Sequence, residues 1–205
     1  MVIQYSGATS KGASIEAMNK FNNTLLLASR SGNTSIVELL LTKGVSIEAM
    51  NLSTFTPLHA AQGGWTSTVE LLLTKGASIE AMNQYGSTLL HVAVQHGHTS
   101  TVELLLTKGA FIEAMDSSKY TPLHLAAWNN NPSTVELLLK KGASTEAKNS
   151  SNNTPLDLAE MGKPYCWSGD TSIVTHLLTK GASIEVMDNG NNTPLDLAAR
   201  RGGSL

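Results

Sequence analysis

The sequence has little cysteine and no long apolar segment. Cys166 is the single cysteine among 205 residues, which excludes an intrachain disulfide and favours a reducing compartment. The apolar runs are short, as at residues 71–73, and fall far below the ~20 residues needed to span a bilayer. Residues 1–7 lack the basic and apolar parts of a signal peptide. We therefore expect no membrane insertion and an intracellular protein, with the cytoplasm as its default location.

Excess charge of either sign is also absent. The formal net charge is −2 and the isoelectric point is near 6.3. A protein that collects phosphate backbones needs a basic field, and this composition does not supply one. The sequence therefore predicts no nucleic-acid partner.

Motifs for catalysis are missing as well. The sequence has no glycine-rich phosphate loop, no His-Glu-x-x-His and no Gly-x-Ser-x-Gly. His96 and His98 lack an accompanying cluster of metal ligands, and Cys166 has no nearby histidine in sequence to activate it. We predict no enzyme, no catalytic residue, no metal and no cofactor. A metal site at His96 and His98, or chemistry in the Cys166 loop, is the less favoured alternative.

What the chain does contain is a repeated phrase, Lys-Gly-Ala-Ser-Ile-Glu-Ala-Met-Asn. Its copies vary slightly and are separated by 32, 32, 33, 33 and 39 residues. Self-similarity at such a period indicates a solenoid, in which each unit contacts only its neighbours and all share one core. The copies start at Lys11, Lys43, Lys75, Lys108, Lys141 and Lys180.

Each unit predicts two short helices. The first opens with Thr-Pro-Leu-His or a close variant, in which Thr suits the N-cap and Pro the first helical position. The second carries an apolar face, as at Val102, Leu105 and Leu106, and Lys108-Gly109 suits its C-terminus. The opening phrases are residues 56–59, 88–91, 121–124, 154–157 and 193–196.

Ser and Glu recur three residues apart near the start of the second helix. Ser100 and Glu103 are one such pair. A capping box would let the two side chains satisfy free N–H groups at the helix N-terminus. The alternative is that both side chains are solvated in the first turn, and the sequence does not choose between the two. The other pairs are Ser35/Glu38, Ser67/Glu70 and Ser133/Glu136.

Helix, turn, helix and extended arm, with these phrases in register six times, resemble the ankyrin repeat over residues 11–203. The resemblance implies an all-α solenoid of stacked antiparallel helix pairs with short β-hairpin-like arms. It also implies binding of other proteins on a concave face of arm tips and first helices, without chemistry. We expect a monomer that scaffolds unidentified protein partners.

The chain is expected to form one ankyrin-repeat domain over residues 1–205. Full repeats are predicted at 19–50, 51–82, 83–115, 116–148 and 149–187, with partial repeats at 1–18 and 188–205. Neither end shows an evident cap, and terminal repeats usually carry a polar outer face. We expect a segment of a longer array or a chain with frayed ends. An adaptor or targeting segment of a larger multidomain protein is therefore the alternative function.

Three departures from the family pattern stand out. The first two units are one residue short near the middle of the first helix, which either ends that helix early or rotates its remaining residues by ~100°. Residues 161–170 contain six extra residues, a loop that either makes contacts or folds back on its own core. Glu recurs in every arm, as at Glu80 and Glu113, where a solvated row is favoured over an ion site.

Histidine and methionine recur at fixed places in the unit. By resemblance, His59, His91 and His124 hold neighbouring hairpins by hydrogen bonds. Methionine occupies a place near the hairpin tip that is commonly polar in the family, and aromatic residues lie close by; both are enriched at interface cores. The alternative is that each Met only seals the stack. The predicted protein-binding residues are Met50, Phe55, Met82, Tyr85, Met115, Tyr120 and Trp128.

Overall fold

The computed structural model describes residues 23–50, 55–60, 62–162 and 172–202, and within these ranges it contains eleven helices and no strand. Met18, the ends of the chain and most of the loop around Cys166 lie outside the described residues. The helices are α1 (residues 23–30), α2 (Thr34–Thr42), α3 (Pro57–Ala60), α4 (Thr66–Thr74), α5 (Leu89–Gln95), α6 (Thr99–Thr107), α7 (Pro122–Trp128), α8 (Pro132–Lys140), α9 (Pro155–Met161), α10 (Ser172–Thr179) and α11 (Pro194–Gly202).

The helices form two layers. The first helices of successive units contact one another in the order α3, α5, α7, α9, α11, and the second helices do so in the order α2, α4, α6, α8, α10. Within a unit the two helices also pack together, as α5 does with α6 and α7 with α8. This is the predicted all-α solenoid of stacked antiparallel helix pairs, which the structure confirms.

One apolar core runs through the stack. Val102, Leu105 and Leu138 are completely buried, and they belong to a single cluster that extends from α1 to α10. Leu106, predicted on the same face as Leu105, is only partly buried at the edge of this cluster. Because no unit covers its own apolar face, each second helix depends on its neighbours for burial.

The first helices begin as predicted. Thr121 and Thr154 are the N-caps of α7 and α9, and Pro122 and Pro155 occupy the first helical positions. The Thr121 hydroxyl accepts from the His124 backbone N–H, while His124 Nδ1 accepts from the Thr121 backbone N–H at 3.2 Å. The reciprocal bonds form a capping box in the first helix.

A capping box in the second helix, one of the two alternatives, is wrong. α6 begins at Thr99 with His98 as its N-cap, so Ser100 is the second residue of the helix. A capping Ser must precede the helix, and here its position is already helical. Two of the four glutamates instead pair with the next unit, where Lys75 Nζ lies 3.9 Å from Glu38 and Lys108 Nζ lies 3.4 Å from Glu70.

The second helices end as predicted, at Lys followed by Gly. In α6, Lys108 is the C-cap and Gly109 has a φ of 93°. The Gly109 N–H donates to Leu106 and the Ala110 N–H donates to Leu105. This is a Schellman motif, in which the left-handed residue turns the chain out of the helix and satisfies its last carbonyls.

Threonine hydroxyls join successive second helices. A threonine at the first position of one helix pairs with a buried threonine at the third position of the next. We call these three pairs the threonine ladder. They are Thr34–Thr68 at 2.8 Å, Thr66–Thr101 at 3.1 Å and Thr99–Thr134 at 3.0 Å.

The missing residue of the second unit shortens its first helix. α3 covers four residues, whereas α5 and α7 cover seven each. Residues 62–64 already form a turn, and the Gln62 N–H donates to His59 at 3.2 Å. In the first unit Thr24 is already helical. α1 therefore begins before its threonine, whereas α3 begins after Thr56. Of the two expected outcomes, early termination therefore applies to α3.

Candidate protein-binding face

The arms between a second helix and the next first helix are stacked turns. Each has a five-residue tip loop, at residues 83–87, 116–120, 149–153 and 188–192. In the first of these the Asn83 N–H donates to Ser87, and Asn83 Oδ1 accepts from the Tyr85 and Ser87 N–H groups at 2.9 and 3.1 Å. Asp116, Asn149 and Asp188 close their loops in the same way.

Neighbouring tip loops are joined by one backbone hydrogen bond each. The Ser117 N–H donates to Tyr85, the Ser150 N–H to Ser118 and the Asn189 N–H to Ser151, at 3.0–3.2 Å. A strand ladder needs a continuous series of such bonds. The described arms therefore contain turns and no strand, so the β-hairpin-like form predicted for them is not shown.

The histidines of the first helices hold the arms to the helices. His91 Nδ1 accepts the Thr88 backbone N–H at 3.2 Å, so this nitrogen carries no proton. His91 Nε2 then donates to the carbonyls of Ala114 and Tyr120, at 3.0 and 3.1 Å, in the next arm. Nε2 of His59 and Nε2 of His124 make the same kind of contact with the carbonyls of Ser87 and Asn153. The predicted structural role of these histidines is confirmed.

Burial lowers the pKa of His59, His91 and His124, although their carbonyl partners pull each pKa upward. Desolvation disfavours the charged ring, and protonation of Nδ1 would remove the acceptor of the capping N–H. The three rings are therefore neutral near pH 7 and have no free nitrogen for a metal.

The glutamates of the arms are neither simply solvated nor gathered into an ion site. Oε1 of four of them accepts a backbone N–H from the arm of the following unit, which sequence reasoning did not foresee. The bonds run from Ser78 to Glu48 at 2.7 Å, Phe111 to Glu80 at 2.8 Å, Ser144 to Glu113 at 2.8 Å and Ser183 to Glu146 at 2.9 Å.

The methionines of the arms lie at the surface. Met50, Met82 and Met115 are 58%, 53% and 45% exposed, and Tyr85 in the first tip loop is 61% exposed. Each methionine follows an alanine that is buried or partly buried, as Ala49 is before Met50. The array therefore presents a methionine at the same place in successive arms.

The remaining predicted residues are half-buried. The Phe55 and Tyr120 rings stand edge-on to His59 and His124, with centroids 5.7 and 5.9 Å apart. Trp128 is the last residue of α7. The structure thus separates the seven residues into four exposed on the arms and three that partly pack on the first helices.

The family profile for ankyrin repeats in three copies matches residues 8–82, 25–116, 60–149 and 112–167. These matches cover most of the sequence. The chain belongs to the ankyrin repeat family. Ankyrin repeats are generally protein–protein interaction modules, and the family is typically non-catalytic. No curated protein matches the chain.

Aspartate replaces the histidine in two first helices of this ankyrin array, as Asp157 in α9 and Asp196 in α11. Asp157 Oδ2 accepts the Thr154 N–H at 2.7 Å and its hydroxyl at 2.9 Å, as His124 Nδ1 accepts from Thr121. Asp157 Oδ1 is buried and has no partner among the described residues. Burial raises the pKa of Asp157 and outweighs the bonds from Thr154. A carboxylate cannot donate to the next arm as a histidine does.

The residues considered for metal binding make other contacts in the ankyrin array. The His96 and His98 rings lie parallel with centroids 5.9 Å apart, and His96 Nδ1 is 2.9 Å from the Val92 carbonyl. In the part of the chain that the structure describes, no three His, Cys, Asp or Glu residues are grouped to hold a metal ion. In that same part, no helix is long and apolar enough to cross a membrane.

Sequence reasoning missed Trp65, which joins the first two described ankyrin repeats. Its ring is 46% exposed and Nε1 donates to the Arg30 carbonyl at 3.0 Å. The ring covers Gly32, where a Cβ would lie 2.4 Å from it. In a later unit Asn131 Nδ2 similarly donates to Val94 at 2.9 Å. The signal available in the sequence was the glycine that precedes α2, α4 and α6, at Gly32, Gly64 and Gly97.

Proposed function

We propose that this ankyrin array binds another protein along the surface formed by its arms and first helices, and that it catalyses no reaction. The observation that carries the proposal is the row of exposed methionines at Met50, Met82 and Met115, with Tyr85 beside it. Exposed apolar side chains at successive repeats make an extended strip, and such strips on soluble proteins are typical of partner sites.

The chemistry of the strip supports a protein partner. Methionine is flexible and polarizable, so one strip adapts to side chains of different shape. Aromatic residues are the usual anchors of interface cores. Phe55, Tyr120 and Trp128 are half-buried, which fixes their rings while leaving part of each exposed. All seven predicted residues remain in the proposed interface.

The histidines buried in the first helices support a non-catalytic role. Both ring nitrogens of His91 are occupied by backbone groups. A general base needs a free nitrogen within reach of a substrate proton. We place the protein inside the cell, as its single cysteine suggested.

A partner recovered by affinity capture and mass spectrometry provides the test. Trp128→Ala and Tyr120→Ala are each expected to weaken its binding by about 1–3 kcal/mol, because interface anchors lose that much on truncation. The control is Leu39→Ala in α2, which removes a 56% exposed apolar side chain from the layer of second helices. Thermal unfolding shows whether each variant is folded. Unchanged affinity in both folded anchor variants would contradict the proposed surface.

A further inference from the structure

The glutamates of the arms are held in place by the fold. We call Glu48, Glu80, Glu113 and Glu146 the glutamate row. Each uses Oε1 for an N–H of the next unit, which leaves Oε2 without a hydrogen-bond partner in the described residues. A side chain that is already ordered loses little rotamer entropy when a ligand binds, so these carboxylates are preorganised.

The carboxylates of this row have no cationic partner within the described chain. The only ion pairs there are Glu38–Lys75 and Glu70–Lys108, which join second helices. The arms, taken as residues 45–56, 77–88, 110–121, 143–154 and 182–193, hold seven carboxylates against two lysines. The second helices with their C-cap residues hold six lysines against four glutamates. The two sides of the stack therefore differ in the sign of their charge, and the arms are the acidic side.

The glutamate row runs beside the exposed methionines. In each of three arms Glu and Met are two residues apart, and the alanine between them is the most buried of the three, as Ala114 is between Glu113 and Met115. Both side chains therefore point outward from the same arm. We call Met50, Met82 and Met115 the methionine row. A partner that lies along the arms meets an acidic stripe and an apolar stripe side by side.

The spacing of the rows selects the shape of the partner. Packed helices lie about 8–10 Å apart, which sets the step from one arm to the next. Seven residues of an α-helix advance ~10.5 Å. A helix with a cationic residue at every seventh position, next to an apolar stripe, therefore meets one glutamate and one methionine per repeat. An extended strand sends alternate side chains to opposite faces and does not present two adjacent stripes.

We infer that the partner segment is a basic amphipathic helix that lies along the arms, with its cationic stripe on the glutamate row and its apolar stripe on the methionine row. The inference rests on the proposed function and specifies the chemistry of the partner. Complementary charge speeds association and fixes the register, while the methionine row supplies the apolar contact.

Designed peptides test the inference without a known partner. The probe is a labelled helix of about 20 residues, ~30 Å long, made of Ala, Leu and Lys with one Lys and a Leu pair in each heptad. Two matched control peptides carry Gln or Glu, respectively, in place of every Lys. Binding is followed by fluorescence anisotropy at about 30 and 300 mM salt, because screening weakens exposed ion pairs. We expect the Lys peptide to bind tightest, and to bind more weakly at high salt.

The Glu80→Gln/Glu113→Gln variant isolates the charge. Glutamine keeps the carbonyl oxygen that accepts each N–H, so the arms keep their geometry while two charges disappear. We expect the affinity for the Lys peptide to fall about threefold to tenfold at low salt. The matched control is Glu103→Gln/Glu136→Gln, which removes two exposed charges from the second helices and is expected to leave the affinity within about twofold.

Each outcome separates this inference from the proposed function. The basic partner is overturned if the Lys and Gln peptides bind equally. It is also overturned if the two double variants lose the same affinity for the Lys peptide. Both outcomes leave an apolar interface in place. Tightest binding of the Glu peptide also overturns the basic partner. Absence of binding by all three peptides overturns the amphipathic helix, and the Trp128 and Tyr120 variants then decide the proposed function on the captured partner.

Discussion

At the scale of single residues, one position of the first helix decides whether a unit hydrogen-bonds to the next arm. Where the residue is histidine, Nδ1 accepts from the helix N-terminus and Nε2 donates to the next arm. Where it is Asp157, the first contact is kept and the second is lost, leaving a buried oxygen without a partner. Both arrangements make stability depend on pH, in opposite directions.

Acid is expected to destabilise the fold through the histidines. Burial lowers the pKa of His59, His91 and His124 in the folded protein, whereas the unfolded chain takes up protons near pH 6.5. The histidine contribution is therefore complete above about pH 6.5 and declines below it, by up to ~1.4 kcal/mol per pH unit for each ring. Urea unfolding between pH 7.5 and 5.5 measures this loss.

A proton NMR titration of the same rings is the matching control. The ring C–H signals of the three histidines are expected to stay in place in the folded protein as the pH falls towards 6, and to titrate normally in urea. A free energy of unfolding that is constant across this range, or ring signals that titrate near pH 6.5 in the folded protein, would show that the rings are not held neutral.

Exchanging histidine and aspartate between two units tests their roles reciprocally. Because burial raises the pKa of Asp157, the cost of its carboxylate is present at pH 7.5 and disappears once acid protonates it. Asp157→His removes that charge and adds a donor, so we expect a gain of about 1 kcal/mol in free energy of unfolding. His124→Asp is expected to cost about 1–3 kcal/mol. Urea unfolding at pH 7.5 measures both, and shifts of equal sign would refute this account.

Some residue roles were predictable from sequence because their partners are local. Thr121 caps the helix that contains His124, and Gly109 follows the helix that it ends. The bonds of Glu80 and Trp65 were not predictable, because their partners lie 31 and 35 residues away in the next or the preceding unit. Nothing in the local polarity of the arm distinguishes a glutamate bonded to backbone from a solvated one.

At the scale of helices, the threonine ladder joins second helices that ridge-and-groove packing alone would leave free to slide. Thr101 is buried and pairs with Thr66 of the preceding unit. The ladder ends at α8, where Pro132 occupies the first position and has no hydroxyl, and Ile173 occupies the matching position of α10. The apolar residue therefore appears where the partner hydroxyl is missing.

A double-mutant cycle measures one rung. Thr66→Val and Thr101→Val, singly and together, are expected to give a coupling energy of about 0.5–1 kcal/mol, since the pair shares one hydrogen bond. Denaturant unfolding supplies the four free energies. Thr34 and Thr134 belong to different rungs and make the control cycle, which should be additive. Equal coupling in both cycles would mean that the hydroxyl contact is not responsible.

Helix boundaries were the part of the elements that sequence placed least well. The Thr-Ser-Thr phrase offers three possible caps, and a helix start two residues earlier moves Ser100 from the N-cap to the second position of the helix. Helix termini depend on where the preceding turn leaves the chain, and that turn is set here by Gly97 with its φ of 71°. The spacing of the apolar residues in the same helix stays the same when the start of the helix shifts.

At the scale of the whole molecule, burial is uneven along the stack. Six of the seven residues of α5 are buried, whereas only Val37 and Leu40 are buried in α2. α3, which lies between these units, is shortened to four residues. In an array stabilised by neighbouring contacts, the units with the most buried surface open last.

Hydrogen exchange is expected to reveal this gradient. Amide protons of α5 and α7 should exchange most slowly, and those of α2 should exchange faster because its unit opens without the rest. Leu105→Ala in α6 should lower the free energy of unfolding by about 2–5 kcal/mol and speed exchange in both neighbours. Mass spectrometry of exchanged peptides resolves the units, and uniform protection along the chain would contradict nearest-neighbour stabilisation.

The period of the sequence was enough to predict the stack, because burial of an apolar face by a copy of itself leaves little choice of architecture. It was not enough to predict the arms. A hairpin and a stacked turn share the same polar, glycine-containing sequence, and the bonds from Asn83 and Asp116 decide in favour of the turn. Resemblance to a family supplied the topology of the stack, whereas the hairpin form that it implied for the arms is not shown.

The bonds of the glutamate row have a consequence for how such a chain grows. Every unit from 83 to 148 carries an acceptor towards one neighbour and a donor towards the other. A tandem duplication of the DNA that encodes such a unit therefore creates a new boundary between repeats, at which the donor and the acceptor are both already present. Lengthening the array needs no compensating substitution, whereas copying the unit that contains Asp157 would also copy its unmet oxygen.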